Sequence, residues 1–373
     1  MTNAVNIETK NPAQSVALGN GGSVKKDNRT YVFDILRIFA CFMVIVNHTN
    51  SAIFNNFFPS LSGQASLILF FISKTAVPIF FMISGALLLG KKDSYKTAYG
   101  KRAFRIAADI VIFSVATTLI YNRNFSVLDL EFFTSLINKP YITPFWYLYS
   151  YFALMLMLPF LQRLVSAMSK KDFAVLLTVL FFFQSVMSFM AYLEILPSTS
   201  NYFMRNLFSG EILYFFLGYF ICHFFPDFIN TAVKKRITLA VSAVLFLVGI
   251  LFCWYRTGLE FYENGKFSLS LDNIYGLPIV LYSSGLFIFV FLLLKNVSFS
   301  GWFAKALTII SNATFGIYLT HYIIIKETNP ILQILKDNMN DFIAILIMDV
   351  AVFVIGAIGI TILRMIPVVK KFL

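Results

Sequence analysis

Residues 31–53 read YVFDILRIFACFMVIVNHTNSAI, an apolar run long enough to cross a bilayer as a helix. Two ionisable groups interrupt it: Arg37 and His48, with ten residues between them. Eleven helical positions at about 100° each come to about 20° past three turns, so both side chains fall on one face, roughly 16 Å apart along the axis. Ionisable groups inside a span are costly and mark functional sites. A cation and a titratable base stacked on one membrane-buried face point to a site that binds an anionic molecule and does proton chemistry on it.

The rest of the chain carries the same signature. Of its 373 residues 58% are hydrophobic and only 13% charged, against about 25% charged in a soluble domain. The mean hydropathy is +0.77. These values predict an all-α polytopic membrane protein with about ten transmembrane helices, over 31–53, 64–89, 106–121, 144–162, 173–195, 209–226, 237–256, 273–294, 306–326 and 342–363. The net charge of +12 invites a nucleic-acid reading, but the charges follow topology. With the N-terminus inside, most Lys and Arg fall in segments facing the cytoplasm, chiefly Lys91–Arg105, Arg163–Lys171, Lys234–Arg236 and Arg364–Lys371. An even number of spans then places both termini in the cytoplasm, and no nucleic-acid partner is expected.

Residues 1–30 are rich in Asn, Gly and Ser and read as a disordered polar cytoplasmic tail, with no signal-peptide pattern. Residues 31–366 read as one membrane domain, and 367–373 as a short basic cytoplasmic tail. Cys41, Cys222 and Cys253 all fall in spans and lack metal-site or disulfide spacing, so they read as packing residues. No metal is expected. Thr143-Pro144 marks a helix start, and the following Trp146, Tyr147, Tyr149 and Tyr151 suit an interfacial aromatic belt.

Several polar residues compete for a role. Asp34 lies three positions before Arg37 and can pair with it, either to hold a site or simply to anchor the helix. Arg37 can also snorkel toward water, and His48 has an interfacial reading. In the second span Lys74 needs a cavity or a partner, for which Glu211 and Asp349 are candidates. Pro78 should kink that span and free a carbonyl. Ser84-Gly85 permits close approach of a ligand or of another helix. Arg102 and Arg105, one helical turn apart, suit either ordinary positive-inside charge or a dock for a phosphorylated cytosolic ligand. His321 lies at the same expected depth as His48, while His223 reads as interfacial.

In order and spacing these residues resemble the integral-membrane acyltransferase family 3, bacterial O-acyltransferases of surface polysaccharides, some antibiotics and related acceptors. Asp34-Ile-Leu-Arg37 followed by His48 is similar to the family's Arg-x10-His pattern, and Val77-Pro-Ile-Phe-Phe-Met-Ile-Ser84-Gly85 to its second-helix motif. Arg102-Ala-Phe-Arg105, Phe145-Trp146-Tyr147-Leu148 and Gly316-Ile-Tyr-Leu-Thr-His321 resemble three further signatures. The resemblance runs from Tyr31 to about Leu363 and lacks the extracellular esterase-like domain that members often append.

The resemblance implies a multi-pass protein of the bacterial cell membrane. It also implies an acyl-CoA donor, usually acetyl-CoA, a glycan or other hydroxyl acceptor, and a need for Arg37 and His48 in catalysis. Arg37, Lys74, Ser84, Arg102 and Arg105 are then the candidate donor-binding residues, and Asp34, Trp146 and His321 the supporting or acceptor-site candidates. The expected spacing from Arg37 to His48 is comparable to the length of a pantetheine arm. His48 would serve as general base, or accept the acyl group itself. Peptidoglycan, capsule, teichoic acid, lipid-linked oligosaccharide and small metabolites all stay open as acceptors. Two rivals predict different behaviour: a transporter or flippase for a glycan or small solute, and a non-catalytic component of a glycan-assembly complex.

Overall fold

The apolar run that opens the domain forms a single helix, α1 (Tyr31–Phe54). It has no proline or glycine to break it, and its aliphatic face is taken up by neighbouring helices, with Val32, Ala40, Ile45 and Val46 fully buried. The computed structural model describes residues 30–54, 60–196, 210–265 and 267–373, so the polar tail through residue 29 lies outside the described residues.

The second span is two helices, α2 (Leu61–Ser73) and α3 (Ala76–Leu88). Ser60 caps the first, accepting from Gly63 N at 3.1 Å. Pro78 lacks an N–H for the Lys74 carbonyl four residues back, and the helix breaks there instead of merely bending. The hydroxyls of Ser73 and Thr75 turn back onto the Phe70 and Ile72 carbonyls, at 2.6 and 2.7 Å, on the α2 side of the break. Lys74 is left between the two helices.

A π-helical turn over Ala98–Ala103 leads into α4 (Phe104–Asn122). The chain continues with α5 (Trp146–Ala167), entered through a Thr143–Phe145 turn with Pro144 at its start, and α6 (Lys170–Phe181), which runs on through a second π-turn to Tyr192. The remaining elements are α7 (Gly210–His223), α8 (Ala232–Asn264), α9 (Leu277–Leu294), α10 (Gly301–Asn338) and α11 (Asp341–Leu363). No strand occurs among the described residues. Nine helical segments among them are long and apolar enough to cross a membrane, and α7 is a shorter apolar tenth. The protein is an all-α polytopic membrane protein. Hydropathy marks only the apolar part of a helix, so α8 and α10 extend well past the expected 237–256 and 306–326.

In a bilayer, water no longer drives helices together, and close packing takes over. The tightest crossing is α3 against α7. A Cβ on Gly85 would lie 1.7 Å from the Phe215 carbonyl oxygen, and one on Gly218 would lie 2.0 Å from that of Met82. Gly85 therefore admits a helix backbone. The three cysteines are free, with Cys41 and Cys253 buried, as packing residues are.

One expectation is corrected: Tyr147, within the aromatic run after Pro144, is not part of an interfacial belt. Tyr147 is buried and stacks on Tyr151 at 5.8 Å, because these rings fill the space between α5, α3 and α10. The segment after residue 366 packs against the domain. Leu373 is buried, and the Phe372 carbonyl accepts from Arg105 Nε and Nη2 at 3.3 and 3.0 Å.

Candidate active site

α1 presents Arg37 and His48 to two different cavities on one side. At the Arg37 end, two adjoining cavities of about 400 and 650 Å³ share Arg37, Arg105, Tyr151 and Phe315 as walls. The first also takes in Ser84, Ser311 and Arg364, and the second Lys101, Arg102 and Lys371. Six Lys and Arg side chains thus line one continuous basin with Ser84. Of these, Arg364 and Lys371 were legible only as positive-inside charge.

The cations are held from behind. Arg37 Nη1 lies 3.5 Å from Asp34 Oδ1, which also accepts from Ser311 Oγ at 2.6 Å, so Asp34 ties α1 to α10. Arg102 Nε donates to Asp93 Oδ2 at 3.1 Å, and Gln162 Nε2 to the same oxygen at 3.0 Å. Burial works to raise the Asp93 pKa, but the hydrogen bonds from Gln162 and Arg102 and the charges of Arg102 and Lys91 outweigh it and hold the carboxyl below its ordinary range. The Arg102 anchor is therefore in place above the ordinary carboxylate pKa and is lost as pH falls through the lowered value. Arg105 spreads over the Phe315 ring at 5.2 Å, with Asp109 Oδ2 3.8 Å from its Nε. Arg102 and Arg105 are anchored separately, and both face the basin.

At the other end, a cavity of about 120 Å³ is lined by His48, Asn47, Lys74, Trp146 and Ile274, among others. The His48 and His321 rings lie 5.2 Å apart, centroid to centroid. In sequence the pair shares only an expected depth along the spans; the contact comes from α1 packing on α10. His321 is fully buried, and its Nδ1 lies 2.5 Å from the Tyr318 carbonyl. A carbonyl only accepts, so Nδ1 carries the hydrogen and Nε2 presents a lone pair. That Nε2 has no hydrogen-bond partner among the described residues.

Tyr147 and Tyr318 line both the 400 Å³ basin cavity and the His48 cavity. Their rings meet edge to face at 5.5 Å, and Tyr318 Oη donates to the Pro144 carbonyl at 2.5 Å. They form the partition between the two chambers. Both lie in quoted motifs, Tyr147 beside Trp146 and Tyr318 three residues before His321; the burial of Tyr147 hid behind the belt reading.

Lys74 stands apart from the residues grouped with it. It lines the His48 cavity, not the basin, and its ion-pair partner is neither Glu211 nor Asp349 but Asp272, at 3.5 Å. Glu211 accepts from Ser150 at 2.8 Å, and the buried Asp349 accepts from Thr49. His223 is exposed, stacks on Tyr219 at 4.4 Å and meets the Ala86 carbonyl at 2.9 Å.

A cationic basin, a two-tyrosine partition and a small chamber with paired imidazoles can seat a long polyanion at one end and carry out proton transfer at the other. A family model described as an acyltransferase domain matches residues 30–366 of the chain. No curated protein and no solved structure gives a significant match.

Proposed function

The chain belongs to acyltransferase family 3, and from that premise we propose that it moves an acyl group, acetyl by preference, from cytosolic acyl-CoA to a hydroxyl of a cell-surface or lipid-linked glycan. The observation that carries this reading is the pair of chambers meeting at Tyr147 and Tyr318, with Arg37 in one and His48 in the other. The basin suits the nucleotide phosphates of coenzyme A, which Arg forks and Lys ammonium groups bind well. The roughly 16 Å from Arg37 to His48 along α1 matches a pantetheine arm, which passes the two tyrosines to bring the thioester beside the imidazole. This assignment turns the Arg37 end toward the cytosol of a bacterial cell.

In the His48 chamber the imidazole takes the proton of the acceptor hydroxyl as its oxygen bonds to the thioester carbon. The carbon–sulfur bond then breaks, and His48 returns the proton to the departing thiolate. The products are the ester and free coenzyme A. His321 is a positioning residue in this scheme. The two rings lie 5.2 Å apart, and the Nε2 lone pair of His321 would serve as the acceptor that orients the His48 imidazole when the acceptor hydroxyl is bound. His321→Phe is expected to lower kcat by about tenfold to a hundredfold, part of what a general base contributes, with the acyl-CoA KM unchanged. His321→Gln, whose amide oxygen can accept, is expected to recover part of the loss. Equal rates for the Phe and Gln variants would exclude the role.

Purified protein in nanodiscs, given acetyl-CoA and extracted envelope glycans, tests the function. The expected result is saturable thiol release together with an acetylated glycan found by mass spectrometry. Glycan carried across proteoliposomes with no thiol released would establish a transporter instead.

A further inference from the structure

Among the described residues Lys74 is the one cation lining the His48 chamber, and nothing in the acyl-transfer scheme uses it. Its side chain is 13% exposed, and its Nζ lies 4.2 Å from the centre of the Phe70 ring. A charge so placed in a spanning helix is costly and needs a reason.

Its counter-ion is of a different kind. Asp272 sits on the connection between α8 and α9, with 36% of its side chain exposed, and reaches Lys74 at 3.5 Å. The same connection contributes Ile274 to the chamber wall. The pair is therefore asymmetric. The ammonium is buried in the wall of the chamber, while the carboxylate that reaches it is itself partly open to solvent. Trp146 adds an aromatic surface and Asn47 an amide to the same chamber. An aromatic face, an amide and a cation together are a set of groups suited to a sugar ring that bears an acid.

We infer that Lys74 is the anion-recognition point of the acceptor site, and that the acceptor is an acidic saccharide whose carboxylate or phosphate displaces Asp272. The inference rests on the acyl-transfer reading for the word acceptor; the anion site itself does not depend on it.

Saturation-transfer NMR on the full chain in zwitterionic nanodiscs tests it, with glucose, glucuronic acid and glucose 6-phosphate as probes. One charge-assisted hydrogen bond corresponds to about tenfold or more in affinity, so at least one acid is expected to bind that much tighter than glucose. The better of the two identifies the carboxylate or the phosphate. Lys74→Met is expected to bring the ratio to about one, Lys74→Arg to preserve a preference, and Asp272→Asn to tighten acid binding by removing the competitor. Equal binding of all three sugars, or a preference that survives Lys74→Met, overturns the inference. Should Lys74→Met fail to fold, unchanged acid affinity in Asp272→Asn overturns it. Thiol release from acetyl-CoA on the same preparation separates the two readings. Release without acid preference sinks the anion site alone, and acid preference without release sinks the acyl transfer alone.

Discussion

Replacing His48 with alanine is expected to leave the protein folded and to lower acyl transfer by at least about 100-fold, the low end of what a positioned general base contributes. The fold should survive because His48 sits within the continuous ladder of α1, and alanine is the strongest helix former. The imidazole also borders a cavity, so its removal enlarges an existing space without exposing a packed core. The rate should fall because, among the described residues, neither His321 nor Lys74 is placed to replace it. His321 has Nδ1 committed to the Tyr318 carbonyl and is fully buried, and Lys74 is paired with Asp272. The basin at Arg37 is untouched, so the acyl-CoA KM should hold while kcat drops, a split that marks loss of an interaction made in the transition state. Single-turnover thiol release and mass-spectrometric detection of the acylated product measure both quantities. Full-rate transfer by the His48→Ala protein would remove His48 from the chemistry.

How far the sequence could anticipate this site follows from what is local and what is not. The common face of Arg37 and His48 was legible because helix period is fixed by backbone geometry. The Asp34–Arg37 pair was legible because it closes within one turn. The break at Lys74 was announced by Pro78 as a kink, and its position one turn earlier follows from the missing N–H. Helical period says which residues share a face, but not which helix that face meets. The 273-residue separation of His48 and His321, like the reach from Lys74 to Asp272, is crossed by packing that no local pattern records. The same limit explains the aromatic run at Trp146. Tyr and Trp near a helix start are common at membrane interfaces, and only the arrival of α10 and α3 against α5 makes Tyr147 a partition instead of a belt. Ser84-Gly85 divides between the two outcomes. Ser84 lines the basin, as a ligand-contacting residue would, and its neighbour Gly85, about 100° further round the helix, faces α7.

Gly85→Val is accordingly expected to abolish the folded state, whatever its effect on chemistry. Its Cβ would stand 1.7 Å from the Phe215 carbonyl oxygen and 2.6 Å from the carbonyl carbon. These are backbone atoms in the middle of a helix, so no rotamer change can move them aside, and α3 and α7 would have to separate. Separation would also undo the reciprocal contact at Gly218 and unpack Phe215 and Phe216, both buried in the core. Overpacking that moves a side chain costs about 1–3 kcal/mol; forcing two helix backbones apart belongs to the exceptional class above about 4 kcal/mol, close to the whole margin of a typical domain. The consequence reaches the site, because α3 carries Ser84 into the basin and begins at the Lys74 break beside the His48 chamber. The measurement is the monodisperse fraction and thermal midpoint in detergent, with Gly100→Ala as control. A Cβ at Gly100 meets nothing within 4 Å, and its φ lies outside the left-handed region, so that variant should match the wild type. A Gly85→Val protein with the wild-type midpoint would mean that the α3–α7 crossing is looser than its backbone contacts require.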